Sequence, residues 1–260
     1  MFSNNYISFI SILIFLSILF FFTDNVFASN ADSLMQNGNQ YYQKKEYRKA
    51  IDLYQKILDE GYVGTAVYYN LGNAYYREGK IGYAILNYER ALKISPGNNN
   101  VKYNLAFVNS KTIDKINTLP SFFLFDWWQS LLALFAVSGW VYIAYFFYIC
   151  LLISIGLYFF VKRPKFQRYS FFAGIISTFF LITTITLLTV KYNQEMNIKN
   201  GIIVESAVTV KQSPDPTSND AFVIHEGLKV RIEESVDNWF EIRLKDGKVG
   251  WMPKKDLQII

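Results

Sequence analysis

The chain has 260 residues, of which 52% are apolar, and a formal net charge of +5. Four of its cations lie in the short segment 162–168, whereas residues 29–126 carry twelve cations against nine acids and residues 191–260 carry ten against eleven. Neither of these larger parts has the basic face that phosphate binding requires, so nucleic acid is not a predicted partner. The single cysteine, Cys150, excludes an intramolecular disulfide and is read as a small apolar residue.

The chain opens with an apolar block at residues 6–22. Val26 and Ala28 follow at the small-residue spacing of a signal-peptidase site, so residues 1–28 are predicted to be a signal peptide that is cleaved after Ala28. Residues 1–5 contain no Lys or Arg, and an uncleaved anchor is the open alternative. Either outcome exports the chain from Asn30 onward.

Residues 31–118 repeat themselves at a spacing of 34, which is the period of a helix-turn-helix solenoid unit. Small residues let two antiparallel helices approach closely, and tyrosine rings fill the gaps between helix pairs. A third helix, from Asn98 to about Ile116, is predicted to cap the two pairs. The residues that recur 34 positions apart are Gly38 and Gly72, Tyr41 and Tyr75, Ala50 and Ala84, and Tyr54 and Tyr88.

The second copy, from Tyr68 to Pro96, resembles a tetratricopeptide repeat at nearly every signature position. The first copy is weaker, with Lys45 where a turn glycine is common. The resemblance implies that the first helix of each pair lines a concave groove whose tyrosines and asparagines suit a peptide. The alternative is that several of these rings only pack between repeats. The predicted partner-binding residues of the groove are Asn39, Tyr42, Tyr69, Asn73, Tyr76 and Tyr103.

Residues 127–161 and 169–190 contain no Asp, Glu, Lys or Arg, and each stretch exceeds the ~20 apolar residues that cross a bilayer. Each cation of the segment 162–168 between them would cost about 3 kcal/mol at the bilayer centre. The sequence therefore predicts a transmembrane hairpin with a basic cytoplasmic loop, and both soluble parts on the outer side. The first stretch is longer than one span requires, so it either tilts or begins with an interfacial segment. In the second span, Ser170 and Gly174 permit close helix contact.

Residues 200–260 change to short alternating segments separated by turn residues, which predicts a strongly bent β-barrel. Gly227 and Gly247 are predicted to occupy positive-φ turn positions, and Gly250 lets a neighbouring ring fold against the barrel. The only histidine, His225, is expected to pack within the barrel. The predicted strands cover residues 202–210, 221–225, 228–235, 239–244 and 248–252.

The same segment resembles the bacterial SH3-like family. The matching residues are His225-Glu226-Gly227, Trp239 and Gly250-Trp251. Members of this family bind peptides or cell-wall material, which makes Trp239 and Trp251 candidate partner-binding residues. The alternative is that both rings close a small core.

The sequence does not predict an enzyme. Cys150 lies inside an apolar span and His225 outside it, so the two cannot form a nucleophile–base pair or a zinc centre. The chain also has no glycine-rich phosphate loop followed by Lys-Ser or Lys-Thr. No cofactor or metal is therefore predicted.

The predicted fold class is a multidomain membrane protein with an all-α tetratricopeptide-repeat solenoid, a two-helix transmembrane hairpin and an all-β SH3-like barrel. This order of modules resembles the BatE-type proteins of the bacterial aerotolerance operon. The resemblance implies an adaptor of the bacterial inner membrane whose partners are von Willebrand A-domain membrane proteins with an associated AAA+ ATPase. The competing hypothesis is a peptidoglycan-binding anchor or sensor that grips the wall through the barrel.

Overall fold

A computed structural model describes residues 28–115 and 122–260. The described residues belong to two compact units, which divide between Tyr62 and Val63. The predicted signal peptide lies outside the described residues except for Ala28, where the first helix begins.

The first unit is one antiparallel helix pair, α1 (Ala28–Gln43) and α2 (Tyr47–Asp59). A Cβ on Gly38 would lie 2.5 Å from the ring of Tyr54, so glycine is required for the ring to lie against α1. The Tyr54 hydroxyl donates to Asn39 Oδ1 at 2.7 Å. Burial raises the pKa of Tyr54 to about 12, which keeps the hydroxyl protonated as a donor.

The second unit begins with α3 (Thr65–Arg77) and α4 (Ile81–Ile94), which repeat this arrangement 34 residues later. A Cβ on Gly72 would lie 2.7 Å from the Tyr88 ring, and the Tyr88 hydroxyl donates to Asn73 Oδ1 at 2.7 Å. Both helix pairs therefore close through the same glycine, tyrosine and asparagine. The 34-residue periodicity of the sequence identified the glycine and the tyrosine, but not the asparagine.

A third helix, α5 (Asn99–Asn109), follows α4. Asn98 is its N-cap, since Oδ1 of Asn98 accepts the backbone amides of Asn100 and Val101 at 3.1 and 3.2 Å. The predicted end near Ile116 lies outside the described residues, and the described helix stops seven residues earlier, at Asn109.

Three apolar helices come next: α6 (Phe123–Leu132), α7 (Val137–Phe160) and α8 (Pro164–Asn197). By length and composition, α7 and α8 are candidate membrane spans. The predicted stretch 127–161 is thus two helices separated by a turn. The basic segment 162–168 is mostly helical, because Pro164 starts α8 at the first helical position, where its missing N–H leaves no bond unmade.

Helices α7 and α8 pack through small polar residues. A Cβ on Gly174 would lie at an ordinary 3.6 Å from Ser154 Cβ, which fits the close approach predicted for this part of α8. The buried hydroxyls bond to their own helices, as when Ser154 and Ser170 each donate to the carbonyl four residues earlier at 2.8 Å. The buried polar residues of this contact are Ser154, Ser170, Ser177 and Thr184.

Residues 199–259 form an antiparallel sheet of seven strands in the order β3-β2-β6-β5-β4-β1-β7. The predicted strand 202–210 is split into β1 and β2 by a turn, and β7 was not predicted. With β3 and β7 at its two edges the sheet is open, so the closed barrel is not confirmed. The strands are β1 (Lys199–Ile203), β2 (Ala207–Lys211), β3 (Asp220–His225), β4 (Lys229–Val236), β5 (Trp239–Arg243), β6 (Val249–Pro253) and β7 (Leu257–Ile259).

One face of the sheet carries the hydrophobic core, because its inward positions alternate along each strand. Gly250 lies inside, where a Cβ would meet Val210 Cγ1 at 2.6 Å. Gly227 and Gly247 have φ of 86° and 93°, which confirms the predicted positive-φ turns. The buried members of the core are Ile203, Val208, Val210, Ile224, Val230, Ile232, Ile242, Leu244, Met252 and Leu257.

The sheet packs directly on α4. Ile202 of β1 is fully buried in the cluster formed by Ala84, Ile85 and their neighbours. A Cβ on Gly82 would lie 2.5 Å from the Ile203 carbonyl oxygen, so the helix can approach the strand this closely only with glycine at that position. The repeat helices and the sheet, which are distant in sequence, therefore share one core.

Polar contacts surround this shared core. Glu226 accepts the Gly82 amide at 3.1 Å, where the first turn of α4 leaves donors unpaired. Lys229 pairs with Glu89 at 2.7 Å, and Arg90 donates to the Ile259 carbonyl at 2.6 Å. These contacts fix the sheet along the length of α4.

Candidate partner-binding site

The centre of the candidate site is a hydrogen-bonded set of polar side chains on α3 and α5. Asn104 Nδ2 donates to Asn73 Oδ1 at 2.9 Å and to the Tyr69 hydroxyl at 3.1 Å. Because Tyr88 also donates to Asn73 Oδ1, both acceptor positions of that oxygen are used. Asn73 Nδ2 makes no hydrogen bond to the described part of the chain and is not enclosed, so its two N–H groups remain available as donors.

Aromatic side chains border this polar centre. Tyr76 packs edge-to-face against Phe107 with ring centroids 5.8 Å apart, and Lys111 lies over the Phe107 ring at 5.4 Å. Tyr103 is 74% exposed. The structure therefore brings four of the predicted residues, Tyr69, Asn73, Tyr76 and Tyr103, onto two neighbouring helices. It adds Asn104, which the sequence analysis did not select.

The other two predicted residues of the repeat region, Asn39 and Tyr42, lie on α1 in the first unit. Asn39 accepts from Tyr54, as Asn73 does from Tyr88. Tyr42 packs edge-to-face against Tyr47 at 5.4 Å. The contacts of Asn39 and Tyr42 therefore lie within the first helix pair. They agree with the alternative that residues of this kind serve packing.

The two predicted tryptophans lie on the face of the sheet opposite the core. Ile242 and Met252 point inward and are fully buried, so Trp239 and Trp251 on the same strands point outward by alternation. Glu241 is directly opposite Trp251, and Trp239 is opposite Pro253. Neither ring belongs to the core cluster, and each is half-buried. This arrangement fits a partly exposed platform rather than core closure.

His225 does not pack within the sheet core as expected. Its ring nitrogen Nδ1 lies 3.0 Å from Asp114 Oδ1, and its backbone amide donates to Asp114 Oδ2 at 2.7 Å. The carboxylate comes from the segment after α5, so it is remote in sequence. No signal within residues 200–260 could have indicated this contact.

The comparison with known families identifies one repeat. Residues 65–98 match the tetratricopeptide repeat. This is the second copy recognised from sequence, and that prediction is confirmed. No curated protein matches the chain.

The arrangement offers amide donors, hydroxyls and aromatic surface, which are groups that can bind a peptide. Among the described residues, no three of His, Cys, Asp and Glu are grouped so that they could hold a metal ion. A tetratricopeptide repeat with these surface groups supports protein binding.

Proposed function

We propose that the chain is a membrane-tethered, non-enzymatic adaptor of the bacterial cell envelope. Its repeats hold a segment of one partner protein, and its C-terminal sheet, an SH3-like module, docks a second. The single observation that carries the proposal is the tetratricopeptide repeat with the outward-facing Asn73 amide beside exposed aromatic rings.

The hydrogen bonds within the site support this role. Asn104 and Tyr88 hold the Asn73 carboxamide in one orientation, so a bound peptide does not have to order that side chain. Preorganised donors favour an extended or helical peptide whose carbonyl oxygens they meet. Tyr103 and Phe107 add apolar contact area at low entropic cost.

The tether is the pair of apolar helices α7 and α8. Their side chains outside the mutual contact are mainly exposed and apolar, as expected for surfaces that lipid covers. The cations near their connection support a cytoplasmic position for that end, because short cytoplasmic loops are enriched in Lys and Arg, and hence an outer position for both ends of the hairpin. Two modules on one tether raise each other's local concentration at a shared partner complex. The resemblance to BatE-type proteins suggests von Willebrand A-domain membrane proteins as those partners.

Crosslinking tests the adaptor. A photoreactive residue replaces Tyr103 in the intact chain within its own membrane, and the matched control carries it at exposed Thr217 on the β2–β3 loop. We expect a discrete protein adduct from position 103 that weakens when Asn73 is changed to Ala, and no Asn73-dependent adduct from position 217. Recovery of lipid alone from position 103 would refute the adaptor.

Topology is tested separately by cysteine labelling in a Cys150→Ala background. A membrane-impermeant maleimide is expected to modify Thr217→Cys in intact cells, and Lys165→Cys only after permeabilisation. The reverse pattern would refute the orientation.

The outward tryptophans favour a second candidate function, binding of peptidoglycan by the sheet. Aromatic faces beside a carboxylate, as at Trp251 and Glu241, are suited to stack on sugars and hydrogen-bond their hydroxyls. Retention of the intact protein on wall sacculi, lost on Trp251→Ala but kept on Tyr103→Ala, would favour this function. Absence of retention would leave the adaptor.

A further inference from the structure

Helix α6 has an unusual surface for a segment in water. Phe123, Phe125 and Trp127 are 67%, 66% and 63% exposed, and Phe122 joins Phe123 in an edge-to-face pair at 4.9 Å. Its one charged residue is Asp126. Contiguous apolar patches of this kind are rare on soluble surfaces and mark contacts with protein or lipid.

Between these exposed rings, the side of α6 that carries three larger apolar residues packs on the outer end of the hairpin. Trp128, Leu131 and Leu132 join a cluster with Trp140 near the start of α7 and with Leu187 near the end of the apolar part of α8. The Trp140 indole N–H donates to the Leu132 carbonyl at 3.4 Å. Helix α6 is therefore folded back against both spans and does not extend α7 in line.

The charged residues near the end of α8 indicate how deep α6 lies relative to the membrane surface. Val190 belongs to the cluster under α6, and the next residue, Lys191, pairs with Glu195 at 3.3 Å. An ion pair of this kind belongs at the headgroups or in water, so α6 lies within about one helical turn, roughly 5.4 Å, of that boundary. Tryptophan and phenylalanine prefer this boundary.

From this placement we propose that α6 is an interfacial helix whose exposed aromatic side chains lie at the outer boundary of the membrane. The inference rests on the proposed tether. Lipid is the favoured occupant because α6 packs directly on the outer ends of the two spans and carries no cation for an acidic partner. The proposal also chooses between the two alternatives for residues 127–161. This stretch begins with an interfacial segment and is not one long tilted span.

The consequence is that the second repeat lies close to the membrane. Pro96 after α4, Ala133 after α6 and Lys191 of α8 line one cavity. A helix α6 anchored in the interface therefore holds the C-terminal end of α4 close to the lipid surface. Partners would therefore be membrane proteins with short external segments or proteins that approach along the surface.

Nitroxide labels test this placement in the intact chain, reconstituted in phosphatidylcholine vesicles with Cys150 changed to Ala. Labels replace Phe125 or, as a second variant, Phe123. Matched controls are Ile176, exposed at mid-length of α8, and Thr217 on a sheet loop. Collision with oxygen reports lipid exposure, and collision with a nickel chelate reports water exposure.

We expect the ratio of oxygen to nickel accessibility at position 125 to exceed that at position 217 several-fold and to fall short of that at position 176. A nickel accessibility at position 125 equal to that at position 217 would overturn the inference, as would shielding from both reagents, which would indicate a protein partner. If position 176 is itself open to nickel, the proposed tether fails. If position 176 is in lipid and position 125 is not, only the interfacial helix fails.

Discussion

The contact between α4 and β1 predicts that Gly82→Ala separates the sheet from the repeats. The added Cβ would lie 2.5 Å from the Ile203 carbonyl oxygen and 3.0 Å from Val204 Cα. Both atoms belong to the backbone, so no side chain can rotate away. The same Ile203 oxygen accepts the Gly227 amide at 2.8 Å, and displacing it breaks that bond as well.

The magnitude follows from three contributions. Overpacking at a close contact costs about 1–3 kcal/mol. Loss of the hydrogen bond from the Gly82 amide to the Glu226 carboxylate adds to this cost, because bonds to charged groups contribute about 1.5–3 kcal/mol. Alanine stabilises a helix by about 0.5–1 kcal/mol relative to glycine, which offsets part of the loss. We expect a net destabilisation of the contact by at least about 1.5 kcal/mol, or roughly 10-fold or more in its opening equilibrium.

Hydrogen exchange of the intact protein in lipid nanodiscs measures this opening. The Gly227 amide and the amides of β1 should exchange roughly 10-fold faster or more in Gly82→Ala than in the original chain. Gly97→Ala is the matched control, since no atom lies within 4 Å of its Cβ position. Exchange that is unchanged or slower in Gly82→Ala would refute the reasoning, because helix propensity alone predicts that result.

Further predictions concern the helix pairs. Lys45→Gly should stabilise the first pair by about 1 kcal/mol in thermal unfolding, because Lys45 has φ of 63° where Gly79 has 81° in the second pair, and Gly79→Ala should destabilise by a similar amount. Equal stability of Lys45→Gly and the original chain would contradict this. Tyr88→Phe should cost about 1 kcal/mol in denaturant unfolding, since the Asn73 oxygen loses a buried donor. Tyr54, with its pKa raised to about 12, destabilises the fold as pH rises above the unfolded value of about 10, since only the unfolded state then loses the proton. Tyrosinate absorbance should show a late titration whose amplitude falls by one tyrosine in Tyr54→Phe, and an unchanged late titration would exclude the assignment.

The parts of the fold that sequence predicted are those set by local rules. Gly72 and Tyr88 meet within one helix pair, and a fixed period of 34 makes such a pair visible twice. Gly227 and Gly247 are turn glycines whose φ depends on their immediate neighbours. The two long apolar helices are visible because the sequence has long stretches without a charged residue.

The remaining features depend on distant residues. Gly82 is an ordinary helix residue until Ile203, more than one hundred positions later, lies against it. Asp114 could not be assigned to His225 from either segment alone. The break between α6 and α7 carries no charge, glycine or proline, so hydropathy shows one stretch where the chain forms two helices. The open edges of the sheet could not be predicted either. Alternation along a strand shows which side chains point to the core, but not whether the first and last strands of the sheet pair.

A single residue, Ile198, joins the last turn of α8 to the first strand of the sheet. Two backbone dihedrals are therefore the whole hinge between a 34-residue helix and the β1 strand that is itself wedged against α4. A rotation or axial shift of α8 is not absorbed by a flexible connector. It is therefore transmitted through β1 to α4. Inserting a few glycines beside Ile198 would uncouple the movement of α8 from that of β1. The proposed binding surfaces would stay unchanged.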